Sequence, residues 1–82
     1  MLTATQIRAA RALLRWSAKK LADDSGVSWT TIQRIESAED VPSATVKSMK
    51  AIQDTLDNAG VAFIDEDEYL GPGVRLRKSG RD

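Results

Sequence analysis

Residues 17–36 constrain this chain more than any other stretch. They read as two short helices joined at Gly26. Ala22 lies four residues before that glycine, and Ile32 and Ile35 lie six and nine after it. Each residue type has a mechanical reason to be where it is. Ala22 is small enough to let a second helix pack closely on the first. Gly26 ends the first helix where a left-handed backbone is wanted, a conformation only glycine adopts cheaply. Ser28 can cap the second helix through its side-chain oxygen. Ile32 and Ile35 then bury one stripe of that helix and leave its opposite side free.

The flanking sequence supplies further elements. Thr3 followed by Gln6 has capping-box spacing and predicts a first helix whose inner stripe is Ile7, Ala10 and Leu14, closing at Trp16. Ser17 caps the second helix, Ala18 to about Ser25, and the third runs from about Trp29 to Ser37. Pro42 marks a turn, Ser43 caps a fourth helix over about Ala44 to Asn58, and Val46, Met49, Ile52 and Leu56 form its apolar stripe. Gly60 ends that helix. Beyond it the period changes to two. Val61 and Phe63 alternate with Ala62 and Ile64, and Val74 and Leu76 with Arg75 and Arg77, across a breaker-rich turn. The expected fold is mainly α: four to five helices with a small C-terminal β-hairpin. Residues 1–58 form the helical domain and 59–82 its hairpin tail.

Composition narrows the function. With no cysteine and no histidine among 82 residues, a disulfide, a Cys/His zinc site and a Ser-His-Asp triad are all excluded. No cofactor is expected. Asp65, Glu66, Asp67 and Glu68 could suggest a metal, but Leu70 stands where a calcium loop would want glycine, so a solvated turn is the better reading. Arg8, Arg11 and Arg15 interrupt any signal-peptide core, and no apolar run could span a membrane, so a cytoplasmic protein is expected. Net charge is zero. Its distribution is uneven, because every charged residue before Asp23 is basic.

Stepping about 100° per residue from Ile32 places Ile35 and Glu36 inward and Thr30, Gln33, Arg34 and Ser37 outward. Trp29 stands beside them at the helix start. Arg34 could bond guanine O6 and N7, Gln33 could bond adenine N6 and N7, and threonine methyls could touch thymine. An ordinary solvated helix face is the alternative reading of the same residues. Phosphate contacts would come from the start of the second helix, at Ser17, Ala18, Lys19 and Lys20, and from Ser28, with Lys47 a further candidate. Glu36 points inward, where a lone carboxylate is costly, and so requires a cation. Arg11 is the best placed, and an Arg11–Glu36 pair is predicted to fix the third helix on the first.

Leu21-Ala22, Gly26-Val27-Ser28, Thr31-Ile32, Ile35-Glu36 and the Arg11 partner together resemble the phage-repressor and Cro-type, or xenobiotic-response-element-like, helix-turn-helix regulators, over about residues 5–57. The resemblance implies four or five helices, the third in the DNA major groove, and operator binding as a dimer. It implies base-reading roles for Trp29, Thr30 and Arg34, phosphate-side roles for Ser28 and Thr31, and the Arg11–Glu36 pair. The tail resembles a subgroup of very short regulators that end in strands. Ala18 stands where the family often has a phosphate-touching glutamine. The turn Ser37-Ala38-Glu39-Asp40 is acidic where the family is commonly Asn-Gly and basic. The expected function is therefore a sequence-specific transcriptional repressor, not an enzyme, with modest affinity for double-stranded DNA unless aided by dimerisation. An antitoxin or accessory protein-interaction module of the same fold is the alternative, with the exposed hairpin as its contact. For a homodimer the hairpin edge is the first candidate surface and the fourth helix the second.

Overall fold

The computed structural model describes residues 2–39 and 44–78. Within them lie four helices, α1 (Ala4–Leu14), α2 (Ala18–Ser25), α3 (Trp29–Glu36) and α4 (Val46–Asn58), followed by strands β1 (Val61–Ile64) and β2 (Gly73–Leu76). The strands form one antiparallel hairpin in which Val61 faces Leu76 and Ile64 faces Gly73. The chain is mainly helical with a small C-terminal sheet, as its periodicities indicate.

Local chemistry sets the helix boundaries. At the start of α1 the Gln6 N–H donates to the Thr3 hydroxyl at 3.1 Å, and the Thr3 N–H donates to Gln6 Oε1 at 2.9 Å. Two otherwise orphaned amides are thereby satisfied. The helix ends at Leu14, two residues before the expected Trp16. Arg15 turns left-handed at φ 59°, and the Trp16 N–H reaches back to the Arg11 carbonyl. Ser17 and Ser28 cap α2 and α3, accepting from the Lys20 and Thr31 amides. Gly26 takes φ 80° and closes α2 by donating to the Ala22 carbonyl.

The fourth helix departs from the sequence reading. Its cap is Thr45, which accepts from the Ser48 N–H at 3.0 Å, so the helix starts two residues later than expected. Pro42 and Ser43 lie outside the described residues. The later start makes Val46 the first helical residue and leaves it 81% exposed. Val46 is therefore not part of the inner stripe, which consists of half-buried Met49 and fully buried Ile52 and Leu56.

Ile7, Leu21, Ile32, Ile35, Ile52, Leu56 and Val61 are fully buried together, so α1, α2, α3, α4 and β1 all contribute to one cluster. Burying each such side chain contributes roughly 1.5–3 kcal/mol. Polar anchors tie the hairpin to the helices. Gln6 Nε2 donates to the carbonyls of Ile64 at 3.3 Å and Gly73 at 3.0 Å, one on each strand. Arg77 holds the far end, pairing with the Asp57 carboxylate at 3.1 Å and donating to the Asp57 carbonyl. At the hairpin tip the Asp67 carboxylate accepts the amides of Tyr69 and Leu70, both at 2.8 Å. Those two bonds hold the Asp67 carboxyl below its ordinary pKa. The described helices are all too short and polar to cross a membrane.

Candidate nucleic-acid interface

The third helix has two chemically opposite sides. Ile32 and Ile35 are buried in the core, and Glu36 is buried beside them. Thr30, Gln33, Arg34 and Ser37 are all exposed. Trp29, in the first turn, is 51% exposed, unusual for so large an apolar ring. It borders a groove of about 530 Å³ between α2 and α3, whose walls include Lys19, Ala22, Asp23 and Val27. The described protein therefore presents the polar side of α3 to solvent.

Two hydroxyls near this face are already engaged. Ser37 donates to the Gln33 carbonyl at 2.9 Å, which turns it back onto its own helix. The Ser28 hydroxyl donates to Thr31 Oγ1 at 2.9 Å, and Thr31 is half-buried. Thr30, Gln33 and Arg34 thus share the exposed side, with Trp29 exposed beside them at the helix start and Ser28 and Thr31 at the N-terminal edge.

The start of α2 carries Ser17, Lys19 and Lys20 at the surface and Ala18 half-buried. Sequence reasoning missed what these lysines touch. Lys19 pairs with Asp23 at 3.2 Å and Lys20 with Asp24 at 3.0 Å, each four residues on. The Lys20 ammonium also lies 5.1 Å from the centre of the Trp16 ring, within cation–π range. The i,i+4 spacing was the readable signal for both ion pairs. Any phosphate reaching these lysines competes with aspartates that have already drawn them in. Glu39, in the acidic turn after α3, is exposed, and Asp40 lies outside the described residues. Lys47 stands apart from this group, on α4, which packs on α2 and β1.

A buried ion pair sets the angle of α3. Arg11 Nε meets Glu36 Oε2 at 2.7 Å and Nη2 meets Oε1 at 2.8 Å, a bidentate fork. The third guanidinium nitrogen donates to the Trp16 carbonyl at 2.8 Å. Arg8 adds a bond to the Glu36 backbone carbonyl, which the sequence did not reveal. The Glu36 hydrogen bond and charge raise the Arg11 pKa above its ordinary value, against a smaller opposing effect of burial. Two arginines of α1 thus grip the C-terminal end of α3, while Ser28 fixes its start.

The helix-turn-helix family model matches residues 7–56, more than half of the chain. The matched span runs from α1 almost to the end of α4 and contains the whole face just described. No curated protein matches the sequence.

Proposed function

Since the chain belongs to the phage-repressor and Cro-type helix-turn-helix family of DNA-binding regulators, we propose that it is a sequence-specific transcriptional repressor that seats α3 in the major groove. The observation that carries this reading is the division of α3. Its inner side is locked by Ile32, Ile35 and the Arg11–Glu36 fork, while Thr30, Gln33 and Arg34 stand clear of the protein. A rigid rod with free polar groups on one side is what groove reading requires. In this reading Arg34 contacts guanine, Gln33 adenine, and Trp29 and Thr30 apolar edges such as the thymine methyl. Ser17, the Ala18 amide, Lys19, Lys20, Ser28 and Thr31 hold phosphates. The protein acts in the cytoplasm and binds its operator as a homodimer, with half-sites about 34 Å apart.

Selection from random duplexes with the purified chain, at two salt concentrations, tests the proposal. A defined motif with a palindromic repeat supports it. Equal retention of all sequences at low salt removes it.

A second reading has its own observation. Tyr69 and Leu70 at the hairpin tip are 85% and 69% exposed, on a turn held rigid by Asp67 and flanked by acidic residues. An exposed apolar pair in an acidic setting suits a protein partner, as an antitoxin or accessory module would have. Recovery of a stoichiometric second protein, lost on Tyr69→Ser with Leu70→Ser, favours this reading. Retention of the partner by that variant contradicts it.

A further inference from the structure

The corner between α1 and α2 holds an arginine that the fold does not account for. Arg15 is the only non-glycine residue with a positive φ among the described residues. It does for α1 what Gly26 does for α2, ending the helix in the left-handed region that glycine alone adopts cheaply. That closure needs only the backbone, whose N–H donates to the Ala12 carbonyl at 3.1 Å. The side chain takes no part in it. It is exposed, and among the described residues it makes no hydrogen bond and no ion pair. Glycine would end α1 at less cost and leave the corner without this charge. A side chain kept in a costly backbone region, with no task inside the protein, points to a task outside it.

The neighbouring cations are already engaged. Arg8 and Arg11 hold the end of α3, and Lys19 and Lys20 are drawn onto Asp23 and Asp24. Arg15 therefore supplies the uncommitted charge of this corner. The corner also borders α3. Arg11 and Ala18, four residues before Arg15 and three after it, line one polar groove of about 410 Å³ with Gln33, Glu36 and Ser37. A duplex that takes α3 into its major groove brings a flanking sugar-phosphate strand along this border.

We propose that Arg15 binds a backbone phosphate of that strand. The planar guanidinium presents two parallel N–H donors that match two phosphate oxygens. Such a contact fixes the duplex on the protein and carries no sequence information. It also offsets the loss of Lys19 and Lys20 to their aspartates, because Arg15 has no internal partner to give up when phosphate arrives.

This inference rests on the DNA-binding reading above. Its test is fluorescence anisotropy of the full chain on two duplexes, one of arbitrary sequence and one carrying the selected motif, across a series of salt concentrations. Thermal melting is followed in parallel. Arg15→Gly should melt no lower than wild type, so a loss of binding cannot be a loss of fold. It is expected to bind both duplexes about tenfold less tightly at low salt, with sequence preference unchanged. The slope of log affinity against log salt should become shallower by about 1, the signature of one lost phosphate. Arg15→Lys keeps the charge and should keep the slope. Wild-type affinity and slope in Arg15→Gly would overturn the proposal, as would a loss of affinity with the slope intact, a loss confined to one base position, or a lysine variant as weak as the glycine one. The two readings can fail separately. An unchanged slope in a variant that still selects the motif removes the Arg15 contact alone. A shallower slope, where wild type selects no motif, keeps the contact and removes sequence-specific reading.

Discussion

Glu36 is the residue whose environment demands the most. It is 8% exposed, and its charge is tolerable only because Arg11 meets both oxygens. Arg11→Met leaves that carboxylate buried without a partner. The expected loss lies near the lower end of the roughly 3–5 kcal/mol seen for broken buried pairs, because the Arg11 side chain is still 22% exposed. Arg11→Met combined with Glu36→Met removes both charges and should be the more stable of the two variants. Urea denaturation of both decides this, and equal or greater loss in the double variant contradicts it. Asp67 provides a second test at this scale. Its folded pKa is lowered by the Tyr69 and Leu70 amides. The turn is therefore fully supported above the ordinary aspartate pKa of about 3.9 and loses support as pH falls through the lower folded value. Protection of the Tyr69 and Leu70 amides, taken as the exchange rate relative to the intrinsic rate at each pH, should be lost only below that ordinary range. Loss of protection beginning near neutral pH would contradict the assignment.

At the scale of elements, boundaries were readable wherever a local rule sets them. The capping box at Thr3, the serine caps and the glycine at 26 all act within four residues, and each stands where the sequence puts it. Gly26 illustrates the rule in energetic form. A Cβ there would meet nothing within 4 Å, so Gly26→Ala costs only the left-handed backbone, about 1–2 kcal/mol. Asparagine at 26 should cost less than alanine, and the ranking of melting temperatures checks it. Arg15 takes a similar conformation without being glycine, which is why the end of α1 was misplaced at Trp16. Arg15→Gly should therefore leave stability unchanged or raise it by up to about 1 kcal/mol. The start of α4 falls two residues later than expected because two hydroxyl residues two positions apart both make good caps, and no local rule chooses Thr45 over Ser43. The anchors of the hairpin were not legible at all. Gln6 reaches carbonyls 58 and 67 residues away, and no local pattern encodes a bond of that separation.

For the whole molecule, geometry and charge pull in different directions. The core, the Arg11–Glu36 fork and the Ser28 cap make α3 a firmly held element with its polar side outward. The surrounding charge does not advertise nucleic acid, since the chain is neutral overall and Lys19 and Lys20 already hold aspartates. Removing those aspartates should release the lysines to phosphate. Asp23→Asn with Asp24→Asn is expected to tighten binding to all duplexes alike, without altering sequence preference, and fluorescence anisotropy at fixed salt measures it. The proposed function stands or falls on whether the outward side of α3 reads bases. Duplex selection with wild type and with Arg34→Ala tests it most directly. The variant is expected to keep the motif but lose preference at one position in each half-site, at a cost of roughly 1–3 kcal/mol. A variant that selects the same motif with undiminished preference at every position would contradict it.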